Sequence, residues 1–115
     1  MFQISFLGYK PITNNVDIDF YTGKFVPIKR RSIEHILPKS KGGKNNVRNY
    51  AMSDMLINSE RGNMSMGDWL NIHPNFLQNM KNYVRKYFNF KIDNINHGEE
   101  VAKTVKEKYN IDLLG

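Results

Sequence analysis

Glu34 and His35 stand side by side at the end of an apolar, extended-looking stretch, and two asparagines follow at Asn49 and Asn58. A carboxylate and an amide oxygen are hard ligands of the kind that hold Mg²⁺ or Mn²⁺ while leaving positions for water and phosphate. Histidine is the side chain that exchanges a proton near neutral pH, so an imidazole beside that pair can take one from water. Basic residues crowd the same region: Arg30, Arg31, Lys39, Lys41, Lys44, Arg48 and, further on, Arg61. Such groups hold phosphate oxygens. A metal, a base and a phosphate clamp together are the minimum set for metal-assisted hydrolysis of a nucleic-acid backbone. Geometry sets one condition. Neighbours on a regular strand point to opposite faces, so Glu34 and His35 can share a site only where the strand ends, bulges or twists.

Charge agrees with that chemistry. The 115-residue chain carries 17 Lys plus Arg against 11 Asp plus Glu, a net +6. Residues 22–48 alone hold eight basic residues and one acid, and the rest of the chain is close to neutral. A concentrated basic segment is the electrostatic footprint of a polyanion partner, most often nucleic acid. Acidic membrane surfaces and plain solubility are the competing explanations. An AT-rich codon bias would explain 15 Asn and 12 Lys, but it would scatter the lysines evenly. Cysteine is absent, which excludes a disulfide scaffold, a thiolate zinc site and a cysteine nucleophile. No apolar run approaches the ~18 residues of a membrane span, and residues 1–20 do not read as a signal peptide. The expectation is a soluble, cytoplasmic protein with no membrane partner.

The elements that must position these residues read as one α+β domain over 1–115. Phe2, Ile4 and Phe6 alternate as a strand, and Val16, Ile18 and Phe20 as a second, with turn chemistry at Lys10-Pro11 and Thr13-Asn14-Asn15 between them. These N-terminal strands (1–18) are expected to form a hairpin. Thr22-Gly23 is a turn, Phe25 to Leu37 is extended, and Pro38 to Asn46 is a long loop. Val47 to Met52 reads as a short strand. Ser53 is placed to cap a helix starting at Asp54 and ending at Gly62 or Asn63. Helices follow over 64–115. Ser65 with Asp68 makes a capping box. A stripe of Phe76, Leu77, Met80, Val84, Tyr87 and Phe88 reads as core, and Gly98 to Tyr109 is a final helix. His73 and His97 read as cap or turn neighbours.

In order, the segments EHILPKSKGG, NY and NSERG, within residues 19–63, resemble the HNH endonuclease family, the ββα-metal nucleases. The family pattern is an acid or His before a His, then Pro, Gly-Gly, an Asn before an apolar residue, and later Asn-x-x-Lys-Gly. Residues 64–76 also resemble the segment that follows this motif in some members. The resemblance implies a small core of strand, long loop, strand and short helix. It implies DNA cleavage with one divalent ion, Mg²⁺ or Mn²⁺, held by Glu34 and Asn58. By the same likeness His35 activates water, Asn49 orders the loop and helps orient that base, and Arg61, at the family's Lys position, meets a phosphate. Double-stranded DNA is the implied partner.

The chain departs from the family at two points. Many relatives brace the fold with zinc held by two CxxC knuckles. The first would align with Asp19 to Gly23 and the second with Asp54 to Ile57, where aspartate, threonine and isoleucine stand instead of cysteine. No structural zinc is expected, and the last ligand is Asn58 where others carry His. Two further readings stay open at this point. One is a nucleic-acid-binding or adaptor protein that kept the scaffold without the catalysis. The other is a nuclease active only within a phage packaging, homing or defence assembly, phage-encoded and acting in the host cell.

Overall fold

The computed structural model describes residues 8–115. Among them are five α-helices and two small antiparallel sheets, an α+β architecture. Helix α1 (Tyr9–Asn15) forms where the Lys10-Pro11 and Thr13-Asn14-Asn15 signals suggest a turn. Pro11 lies in the first helical turn, where a missing N–H breaks no bond. The Thr13 hydroxyl and the Asn15 amide satisfy themselves on carbonyls four residues back, at 3.1 and 3.0 Å. Burial of Ile12 secures the helix, so packing overrides the local turn preference.

The expected N-terminal hairpin does not survive in this form. Its first strand, Phe2 to Phe6, lies outside the described residues. Its second is reduced to a single bridge, Ile18 opposite Phe25. Asp19 explains the interruption. Its carboxylate is fully buried, and Oδ2 accepts the backbone N–H groups of Tyr21 at 2.8 Å and Thr22 at 2.6 Å, which folds the chain into a turn. Oδ1 accepts the Ser53 hydroxyl at 2.6 Å and the Asp54 N–H at 2.7 Å. One carboxylate with four donors thus ties residues 19–23 to residues 53–54. Ser53 is thereby turned inward. Asp54 caps the following helix instead, its Oδ1 accepting from Leu56 N at 2.9 Å.

At the centre, β1 (Arg31–His35) pairs antiparallel with β2 (Tyr50–Asp54), and α2 (Met55–Arg61) continues directly from β2. The register is unbroken from Arg31 opposite Asp54 to His35 opposite Tyr50. Both α1 and α2 pack on this hairpin, and every residue of β2 is buried. The loop between the strands holds two short 3₁₀ turns, Lys39–Lys41 and Val47–Asn49. The second takes the first half of the strand expected from Val47.

The C-terminal half supports this core. Ser65 caps α3 (Met66–Ile72), accepting from Asp68 N at 3.1 Å, as the capping box predicts. Helix α4 (Phe76–Lys86) buries Met80 and Val84 of the expected stripe, and Tyr83 beside them. A small ladder of β3 (Lys91–Ile92) and β4 (Ile95–Asn96) follows, absent from the sequence reading. Its turn, Asp93-Asn94, has positive φ at both residues, a conformation these two types tolerate better than most. Helix α5 (His97–Tyr109) buries Val101 and Val105.

His97 is core rather than turn surface. The Tyr83 hydroxyl accepts from Met52 N at 3.0 Å and lies 2.8 Å from His97 Nε2. The hydroxyl can give its hydrogen to the imidazole or accept one from it, and either arrangement suits a neutral ring. Burial lowers the His97 pKa to about 4. In the unfolded chain the same group takes up a proton near its ordinary value of about 6.5. The stabilisation is therefore complete above that value and drains away as pH falls toward 4, by up to about 1.4 kcal/mol per pH unit. Urea unfolding at pH 7 and pH 5 should show about 2 kcal/mol less stability at the lower pH, and His97→Gln should remove most of that difference. An equal pH dependence in the variant would contradict this assignment.

Candidate active site

Strand alternation sets the site. Ser32 and Glu34 lie on the side of β1 covered by α2, and Ile33 and His35 on the other. Asn58, in the middle of α2, donates its amide hydrogens to the Ile33 carbonyl at 2.8 Å and to Ser32 Oγ at 3.1 Å. The amide is thereby oriented, and its Oδ1 has no hydrogen-bond partner among the described residues. Glu34 is 3% exposed, and its Oε2 accepts Arg61 Nη1 at 2.8 Å and the Tyr21 hydroxyl. Oε1 carries no hydrogen bond among the described residues.

His35 faces the other way, as strand geometry requires. Its Nε2 lies 2.8 Å from Asn45 Oδ1, and its ring stands edge-on to Tyr50, its cross-strand partner, with centroids 5.4 Å apart. No bulge brings it round to Glu34. The strand simply ends at His35, and a cleft of about 170 Å³ opens at its tip. Glu34, His35 and Asn58 all line that cleft, with Lys39 and Ser40 across from them. The three residues singled out for chemistry therefore all border one cleft, while the His35 ring itself packs against Asn45 and Tyr50, which do not line it.

Asn49 is buried and acts on the loop. Its Oδ1 accepts Leu37 N at 2.9 Å, and its amide donates to Leu37 O at 3.0 Å and Lys44 O at 3.1 Å. It makes no hydrogen bond to His35. The Gly-Gly pair is structural as well. Gly42 has φ of 93°, and a Cβ on Gly43 would stand 1.7 Å from the Leu37 carbonyl oxygen.

Arg61 needs correction. The resemblance sends it to a phosphate, yet its side chain is fully buried. Nη1 donates to Glu34, to the Tyr21 hydroxyl at 3.2 Å and to the carbonyls of His35 and Ile36, Nη2 donates to the Tyr109 hydroxyl, and Nε donates to Met64 O. The guanidinium is enclosed by these partners and does not reach a ligand at the surface. Burial raises the Glu34 pKa from its ordinary range, while Arg61 and the Tyr21 hydroxyl pull it back. Burial alone would lower the Arg61 pKa, but Tyr21 and Glu34 outweigh it and hold the guanidinium charged.

The other basic candidates divide by residue type. Arg30 pairs with Asp54 at 2.8 Å, and Arg48 pairs with Glu100 at 2.8 Å. Arg31 donates to the carbonyls of Val26, Thr13 and Asn14. Lys39, Lys41 and Lys44 are exposed and form no ion pair among the described residues. A larger cleft of about 370 Å³ lies between the 42–49 loop and α5, but Glu100 and Glu107 offset its lysines there and it holds no histidine.

As a metal site, the 34/58 pair is sparse. Among the described residues no three His, Cys, Asp or Glu side chains cluster. One carboxylate oxygen and one amide oxygen, both without hydrogen bonds among the described residues and borne by two residues that line one cleft, suit a hard cation that keeps several waters. Sequence reasoning missed Tyr21, Tyr109, Asp19 and Asn45, and of these only Asp19 carried a signal, as the residue standing at a knuckle position. No protein-family model, curated protein or solved structure matches the chain. No helix of the described residues is long and apolar enough to cross a membrane.

Removing Arg61 strands a buried carboxylate together with several carbonyls. Arg61→Ala should therefore lose about 3–5 kcal/mol in urea unfolding, the range for breaking a buried pair. A loss below about 1 kcal/mol, the value for surface pairs, would contradict the network.

Proposed function

We propose that the chain is a metal-dependent endonuclease of the HNH kind that hydrolyses DNA phosphodiester bonds. The observation that carries this reading is the meeting of Glu34, His35 and Asn58 on one cleft at the end of β1, beside a loop of unpaired lysines. Glu34 and Asn58 would hold one divalent ion, Mg²⁺ or Mn²⁺. Bound there, the ion supplies charge stabilisation for the crowded phosphorane and the departing 3′ oxygen. His35 takes a proton from the attacking water. Lys39, at the cleft, and Lys41 and Lys44 beyond it hold the phosphates on either side. Asn49 keeps the loop folded so that these groups stay in place. Arg61 and Tyr21 fix the Glu34 carboxylate by one oxygen and leave the other for the ion.

One observation favours the non-catalytic reading, in which the chain binds DNA without cutting it. Glu34 is deeply buried and already ion-paired. The same assay separates the two. Purified chain incubated with supercoiled plasmid and Mg²⁺ or Mn²⁺ should convert it to nicked or linear product, and EDTA should stop the reaction. His35→Ala should slow it by about 10²–10⁴-fold, the usual contribution of a general base. Cleavage indifferent to EDTA or to that substitution would overturn the mechanism, and binding without cleavage would favour the adaptor reading.

A further inference from the structure

We propose that Asn45 is the positioning residue for His35, holding the imidazole as its Nε2–H tautomer so that Nδ1 is the nitrogen left to accept a proton. The inference rests on the nuclease reading above and extends it to a residue that neither composition nor motif singles out. A carboxamide oxygen can only accept, so the 2.8 Å contact from His35 Nε2 to Asn45 Oδ1 requires the hydrogen on Nε2. An imidazole with one nitrogen protonated and hydrogen-bonded has its lone pair on the other.

The loop is built to deliver Asn45 to that point. On its N-terminal side, the Lys44 carbonyl is held by the Asn49 amide at 3.1 Å. On its C-terminal side, Asn46 caps the 3₁₀ turn, its side chain accepting from Arg48 N at 2.9 Å and its carbonyl from Asn49 N at 2.8 Å. Asn45 thus sits between two anchored residues and spends its own side chain on the imidazole. Tyr50 fixes the ring from the cross-strand side. The orienting part that the family likeness gives to Asn49 is accordingly split. Asn49 folds the loop, and Asn45 touches the base.

Long-range ¹H–¹⁵N spectra of the imidazoles at pH 8 read the tautomer directly, with His35→Gln identifying the His35 signals. The wild-type chain should show His35 as a single Nε2–H tautomer. Asn45→Ala should shift both ring nitrogens toward the averaged values of exchanging tautomers, and Asn45→Asp, which keeps an acceptor, should restore the wild-type pattern. In plasmid cleavage with Mg²⁺, Asn45→Ala should lower kcat about 10–100-fold with KM unchanged, the usual effect of losing a group that orients an active imidazole, and Asn45→Asp should recover most of it. A wild-type Nδ1–H tautomer, or an Asn45→Ala spectrum identical to wild type, overturns the proposal even if the chain cuts DNA. A wild-type chain that shows the Nε2–H tautomer yet cuts nothing overturns the nuclease reading, and the positioning role falls with it.

Discussion

A guanidinium without access to water must have every donor satisfied, and the place where Arg61 finds its acceptors organises the molecule. It gathers the Glu34 carboxylate from β1, the Tyr21 hydroxyl from the preceding turn, the carbonyls just past the strand end and the Tyr109 hydroxyl from α5. Charge pairing in the interior is worth little over an apolar packing of the same volume, but a lone buried charge is costly. The pair therefore acts as a constraint on geometry. It fixes which oxygen of Glu34 is occupied and which is free.

That constraint links fold to chemistry. Glu34 and His35 leave β1 on opposite faces and still line one cleft at the strand's end, where Arg61 takes the carbonyls of His35 and Ile36. Asn58 joins them from one turn earlier on α2, pinned by its own amide hydrogens. The arginines of the basic segment are spent internally, on Asp54, Glu100 and loop carbonyls, and Arg61 on Glu34. The lysines of the loop face solvent. Planar forked donors suit fixed geometry, whereas lysine is a mobile point charge suited to a diffuse polyanion. The fold divides its positive charge along that line.

Much of this was legible in the sequence, and the failures have physical causes. Hydrophobic patterning and turn residues located β2, α2 and the C-terminal helices to within a few residues, whereas the stretch read as extended from Phe25 to Leu37 is strand only over Arg31–His35 and makes a 3₁₀ turn at Ile28–Arg30. Only the likeness to the HNH motif singled out Asn49 and Asn58 among 15 asparagines. Asn45 carries no such signal, because its role depends on a loop path that only tertiary contacts define. Arg61 was misjudged because its position in the motif suggests a surface cation, and nothing local reveals that Tyr21 and Tyr109 converge on it. Lys10-Pro11 and the Asn pair at 14–15 favour a turn, but burial of Ile12 made a helix of them. Asp19 read only as a missing cysteine. Its four hydrogen bonds join segments 34 residues apart, which no local pattern can show.

The central claim is that Glu34 and Asn58 would hold one divalent cation beside His35. Titration of Mn²⁺ into the ¹⁵N-labelled chain, followed by NMR line broadening, addresses it without any assay of cleavage. The account requires saturable broadening centred on residues 33–35 and 58, displaced by excess Mg²⁺ and abolished in a Glu34→Gln chain that remains folded. Broadening that never saturates, or that centres on the acidic residues of α5, would contradict it.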